Sequence, residues 1–218
     1  MIKAIIWDFG GVITSSPFEA FNRFEHEQGL PKDFIRQINA TNPDQNAWAL
    51  FESDRITLDE FDELFAREAA LAGHEVRGKA VIALLAGDIR PRMLSVLRLC
   101  RRHFRLACIT NNVRAGHGSS MTENADAAAK VADIMTLFDQ VIESKLEGVR
   151  KPDPRIYEIA CERMHIRPEQ AIFLDDLGIN LKPAKAMGMK TIKVTDEIEA
   201  IKALGQLTQL DFSGVLAL

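Results

Sequence analysis

Short, nearly continuous apolar runs alternate with stretches of helical periodicity along most of this chain. Ala4–Ile5–Ile6–Trp7, Leu106–Ala107–Cys108–Ile109, Val141–Ile142, Ala171–Ile172–Phe173–Leu174 and Thr191–Ile192–Lys193–Val194 have strand length. Runs that are apolar at nearly every position, rather than at every second one, imply strands buried on both faces. Met93 to Arg102, Asp153 to Met164 and Ile179 to Met187 read as helices between the later strands. The pattern predicts a doubly wound α/β domain built on a parallel sheet.

One gap breaks the rhythm. About a hundred residues separate the Ile6 and Ile109 runs, far more than one crossover helix needs. Within the gap, Phe18–Gln28, Lys32–Asn39, Gln45–Glu52, Leu58–Ala70 and Ala80–Leu85 each read as helices. Thr57, with Glu60 three residues on, has the spacing of a capping box. Residues 15–88 therefore read as a helical insertion into a core made of 1–14 and 89–218, and Asp88 to Pro91 marks the return. Trp48, Phe51, Phe61 and Phe65 read as packing within that insertion or, second, as part of a substrate wall, and Trp7 and Phe9 as core. Arg114 to Asn124, rich in glycine and polar residues, reads as a loop with His117 exposed on it.

Composition narrows the class. The chain has 218 residues, enough for one domain or one domain with an insertion. At 47% hydrophobic and 27% charged residues it belongs with ordinary globular proteins. A formal charge of −4 argues against a nucleic-acid partner. No stretch reaches the ~18 apolar residues of a membrane span, so a membrane partner is not expected. Asp8 interrupts the first apolar run, which is unlike a secretory signal. Cys100, Cys108 and Cys161 are odd in number and widely spaced, which fits reduced thiols in a cytoplasmic protein. A homodimer is compatible with all of this.

The polar groups that end the runs carry the chemistry. The first run stops at Asp8–Phe9–Gly10–Gly11, the second at Thr110–Asn111–Asn112, and the fourth at Asp175–Asp176. Arg150–Lys151–Pro152–Asp153–Pro154 follows the third. In an open parallel sheet the carboxyl ends of the strands line the ligand crevice, so groups roughly 170 residues apart in sequence converge. Three carboxylates, Asp8, Asp175 and Asp176, repel one another unless a cation lies between them. Oxygen-only ligands point to Mg²⁺, commonly shared with a substrate phosphate. Gly10 and Gly11 let main-chain N–H groups approach an anion, and Thr110 and Asn111 add donors. Lys151 can pair with both Asp8 and a phosphoryl oxygen. An aspartate facing such a phosphate can serve as nucleophile, giving an aspartyl-phosphate that water hydrolyses.

Asp8–Phe9–Gly10–Gly11–Val12–Ile13, Ile109–Thr110–Asn111, Arg150–Lys151–Pro152–Asp153–Pro154 and Phe173–Leu174–Asp175–Asp176 resemble, in order, the four motifs of the haloacid dehalogenase-like hydrolase superfamily. Ile142–Glu143–Ser144, Ile156–Tyr157 and Asn180 to Ala184 further resemble the N-terminal phosphatase domain of soluble epoxide hydrolase. The resemblance covers the whole chain and implies a Rossmann-like core with a helical cap inserted after the first motif. It implies Asp8 as nucleophile, and Mg²⁺ held by Asp8, the Gly10 carbonyl and Asp176 with Asp175 assisting. Thr110 and Lys151 are implied on the phosphate of a small phosphate ester. The superfamily's phosphatases usually carry a second aspartate, a general acid/base, where this chain has Gly10.

Three other readings share these residues. A metal-independent haloacid dehalogenase would use the same nucleophile on carbon, but the Asp175–Asp176 pair would oppose its carboxylate substrate. A phospho-acceptor signalling domain places its acidic pair early, whereas here the pair is late. A non-catalytic metal- and phosphate-binding protein is suggested by Gly10.

Overall fold

The computed structural model describes residues 1–85, 87–111 and 125–217. Asn112, His117 and the Arg114 to Asn124 loop lie outside the described residues. Five strands, β1 (Ala4–Trp7), β2 (Arg105–Thr110), β3 (Gln140–Glu143), β4 (Ala171–Asp175) and β5 (Lys190–Lys193), form one sheet in the order β3-β2-β1-β4-β5. Every pairing is parallel, and Ile6 of β1 sits between Ala107 of β2 and Phe173 of β4. The helices are α1 (Pro17–Glu27), α2 (Phe34–Ala40), α3 (Ala47–Glu52), α4 (Leu58–Leu71), α5 (Gly78–Ala83), α6 (Pro91–Cys100) and α7 (Ala125–Met135). They continue with α8 (Ser144–Glu147), α9 (Pro154–Met164), α10 (Gly178–Ala186), α11 (Glu197–Thr208) and α12 (Ser213–Leu216).

Strand side chains alternate between the two faces, which separates the core into two layers. Ile5, Trp7, Leu106, Cys108, Ile172 and Leu174 pack against α6, α7 and α11 through Val96, Ile134, Ile201 and Leu204. Ala4, Ile6, Ala107, Ile109 and Phe173 pack against α9 and α10 through Ile156, Tyr157, Ala160 and Ala184. Each such buried Ile, Leu or Phe is worth ~1.5–3 kcal/mol relative to exposure. Both faces being covered explains why the strands read as unbroken apolar runs.

Helices α1 to α5 build a third cluster of their own, centred on Phe21, Phe51, Phe61 and Phe65. Phe51 stacks on Phe61 at 4.6 Å, and Trp48 meets Phe21 and Phe61 edge-on, so the aromatic series is packing. Both halves of the Thr57–Glu60 capping box form and open α4. The chain leaves the sheet layer and returns at one narrow neck. There Thr14 and Ile89 form an antiparallel bridge, and Ser15 N–H donates to the Asp88 carbonyl at 2.8 Å. Among the described residues, no helix is long and apolar enough to cross a membrane.

Candidate active site

The carboxyl end of the sheet brings the predicted residues together. Asp8 directly follows β1, and its N–H donates to the Leu174 carbonyl at 2.8 Å, extending the register by one residue beyond the strand. The chain then turns tightly, with Ile13 and Thr14 N–H both donating to the Phe9 carbonyl. Gly11 takes φ +75° within that turn, a region that disfavours any side chain. Phe9 N–H donates to Asp8 Oδ1 at 2.7 Å, which aims the carboxylate back across the turn.

Lys151 is the centre of the cluster. It is 1% exposed, and its Nζ lies 2.7 Å from Asp8 Oδ1 and 2.9 Å from Asp175 Oδ2. Asp175, fully buried at the end of β4, also accepts Leu177 N–H at 2.8 Å and the Asn180 amide at 3.1 Å. Asn180 is itself fixed, because the Tyr157 hydroxyl donates to its carbonyl at 2.7 Å. Asp176 accepts from Ser16 Oγ at 3.4 Å. Thr110 ends β2 and is buried beside the cluster's strand ends.

Asn111 plays a part the sequence did not suggest. Its side-chain carbonyl accepts from Lys151 N–H at 2.9 Å, and its amide donates to the Lys151 carbonyl at 3.0 Å. The Asn111 side chain is thus a two-point clip on the main chain of the lysine. Asp175 likewise has both oxygens engaged in hydrogen bonds, to Lys151, Leu177 and Asn180. Asn180, Tyr157 and Ser16 complete the surroundings. Tyr157 and Asn180 stood out in sequence only within stretches that carry the family resemblance, without a role of their own, and Ser16 had no signal.

Electrostatics favour a cation here. Asp8, Asp175 and Asp176 each offer an oxygen within 4.8 Å of the others, against the positive charge of Lys151 among the described residues. Burial pushes the Asp8 carboxyl well above its usual range; Lys151 opposes that shift, and the charges of Asp175 and Asp176 reinforce it. Burial and the neighbouring Asp175 raise Asp176 to about 6. Burial alone would lower the Lys151 pKa, but Asp175 and Asp8 outweigh it and keep the ammonium charged. The donor set is hard oxygen throughout, and it suits Mg²⁺ better than a soft metal. The three cysteines are free and buried, and burial pushes their thiols up, which leaves them poor nucleophiles. Shallow hollows of about 590 Å³ along α4–α5 and along α11–α12 include no residue of the acidic cluster.

Fold and site together are those of an α/β protein with a five-stranded parallel sheet, whose carboxyl edge carries a buried lysine among three carboxylates. The chain belongs to the haloacid dehalogenase-like hydrolases, whose family model matches residues 2–188. It is 34% identical over 224 residues to rat bifunctional epoxide hydrolase 2, covering 97% of this chain and 40% of that protein. It is 29% identical over 207 residues to sesquiterpene phosphatase astK of Aspergillus oryzae, covering 94% of this chain and 96% of that one. The chain spans 40% or less of the length of the first curated relatives it matches. A Bacteroides thetaiotaomicron family enzyme, solved with magnesium and inorganic phosphate, shares the fold at TM-score 0.58 and 21% identity, covering 88% of this chain and 94% of that one.

Proposed function

We propose that the protein is a Mg²⁺-dependent phosphatase of small phosphate monoesters, working through an aspartyl-phosphate on Asp8. The observation that carries this reading is Lys151 Nζ set between Asp8 and Asp175, with Asp176 close by, so that three carboxylates gather around one lysine among the described residues. The phosphatase relative of similar length, and the magnesium and phosphate bound by the structural neighbour, support it.

In this reading an Asp8 carboxylate oxygen attacks phosphorus while the bond to the leaving oxygen breaks. Lys151 stabilises charge on the equatorial phosphoryl oxygens, and Thr110 with the Gly10 and Gly11 main chain orients them. Asn111 keeps Lys151 in place. Water then attacks the aspartyl-phosphate, releasing inorganic phosphate and restoring the Asp8 carboxylate. Asp8, Asp176 and the Gly10 carbonyl would hold Mg²⁺, with Asp175 assisting. When bound, the ion supplies charge neutralisation and polarises the phosphoryl oxygens. Residues 15–88 act as a cap over a core of 1–14 and 89–218, joined through the Thr14–Ile89 neck. The partner is a small phosphate ester rather than nucleic acid, and the buried free thiols suit the cytoplasm.

Phosphate release from a panel of aryl, alkyl and sugar phosphates, with Mg²⁺ and with chelator, tests the reading. Asp8→Asn should lower turnover by about 10⁴-fold or more while the protein stays folded. Release that is indifferent to chelator, or an Asp8→Asn variant near the wild-type rate, would overturn it. Carbon–halogen hydrolysis is opposed by the Asp175–Asp176 pair, whose charge repels a carboxylate substrate.

A further inference from the structure

Arg150, immediately before Lys151, reaches out of the sheet layer. Its guanidinium lies 2.9 Å from Glu52 Oε2 and also donates to the Pro43 carbonyl. Glu52 is the last residue of α3, and its own carbonyl accepts from Ser144 Oγ at 2.9 Å. Ser144 is fully buried at the start of α8, directly after β3, so it belongs to the same carboxyl edge as the site. Two bonds from Arg150, spanning 98 and 107 residues, and one from Ser144, spanning 92, thus tie residues 43 and 52 of the helical segment to the loop that carries the lysine and to the β3–α8 junction just before it.

The tie is continuous with both neighbourhoods. One turn before Glu52, Trp48 packs edge-on against Phe21 and Phe61 in the aromatic cluster. Burial raises the Glu52 pKa; Arg150, the Trp48 indole and Lys151 all counter that shift, so the carboxylate lies within reach of the lysine's charge. The lysine's own main chain is already held from the core side by Asn111. A largely buried ion pair gives little net stability compared with apolar packing, and its value lies in selecting one arrangement over others.

We infer that Glu52 and Arg150 are positioning residues that hold the helical segment closed against the Lys151 loop. This rests on the phosphatase reading for its kinetic consequence alone. The closed arrangement is the one competent to bind substrate, so loosening the clamp lowers the competent fraction and weakens apparent affinity by that fraction. Saturating substrate restores closure, so kcat is spared. A merely structural defect does the opposite: it reduces the amount of active enzyme, lowering apparent kcat at constant KM.

Glu52→Gln, Arg150→Met and the double variant decide the matter on the full chain. Each single change should raise KM for p-nitrophenyl phosphate about tenfold with kcat within about twofold, and the double variant should add little more. Independently of turnover, amide hydrogen exchange should rise together in residues 43–53 and 144–152 in both single variants. Reversing the pair, Glu52→Arg with Arg150→Glu, should recover part of both effects. If Arg150→Met does not fold, Arg150→Lys takes its place, because an ammonium cannot bridge Glu52 and Pro43 as a planar fork does. Additive singles, a fall in kcat at unchanged KM, or exchange rising on one side only would overturn the clamp. A wild type without phosphatase activity would sink the functional reading but leave the exchange comparison to judge the clamp.

Discussion

The Asp176 carboxylate lies over the Cα of Gly11, in the space where any larger residue would carry its side chain. A Cβ built on Gly11 would overlap Asp176 Oδ2 and Cγ, and the residue's φ of +75° independently disfavours a side chain. The two ends of the sequence's acidic constellation, roughly 165 residues apart by chain count, therefore meet through the absence of one carbon. Gly10 next to it is different. It is exposed, its φ is not positive, and nothing lies within 4 Å of a Cβ placed there.

Gly11→Ala should destabilise the protein by about 1–3 kcal/mol, since the left-handed backbone and the displaced Asp176 both oppose it. It should also raise the Mg²⁺ concentration needed for half-maximal activity. Gly10→Ala should stay within about 0.5 kcal/mol of wild type. Thermal unfolding and Mg²⁺ titration of the two alanine variants check the contrast, and equal effects at both positions would contradict the geometry.

Open space at Gly10 makes Gly10→Asp a fair test of the missing general acid. A positioned acid contributes about 10²–10⁴-fold, and most to leaving groups that are strongly basic. Wild-type rates should therefore depend more steeply on leaving-group acidity than those of the variant, with alkyl phosphates gaining most. Single-turnover rates over a graded series of aryl and alkyl phosphates measure this. Two parallel series would mean that protonation of the leaving oxygen comes from another group.

Lys151→Met leaves the Asp8 and Asp175 carboxylates without the cation they share. Removing one partner of a buried ion pair typically costs about 3–5 kcal/mol, so the variant should unfold at markedly lower denaturant concentration. Mg²⁺ should recover part of the loss by binding the folded state alone. Chemical denaturation with and without Mg²⁺ reads both effects. An unchanged midpoint would show that the lysine is electrostatically dispensable.

Asp176→Ala removes a carboxylate that no lysine touches. The Mg²⁺ requirement should rise steeply, because few protein ligands remain. The metal-free protein should be as stable as wild type or more so, since burial and Asp175 raise the Asp176 pKa to about 6, so that the carboxylate, still mostly ionised at neutral pH, costs the fold stability relative to the unfolded chain. Isothermal titration with Mg²⁺ and thermal unfolding in chelator separate the two outcomes, and loss of stability in chelator would count against carboxylate repulsion as the dominant effect.

Periodicity by itself determined the strands, because burial on both faces writes itself as unbroken apolar runs such as Ala4–Trp7 and Ala171–Leu174. It also determined the capped start of α4, since a capping box is local. The acidic cluster was legible for a related reason: in a parallel sheet every strand's carboxyl end falls on one edge, so Asp8, Lys151 and Asp175 had to converge. What only the tertiary structure decided was who holds whom. Asn111 is the same residue whether its amide meets a phosphate or the Lys151 main chain, and only the loop's path selects between them. Glu52 and Arg150 leave no trace in sequence, because a pair 98 residues apart has no spacing that a local pattern could carry. Short-range order is encoded residue by residue, whereas such pairings exist only once the sheet and the helical segment have settled on a common geometry.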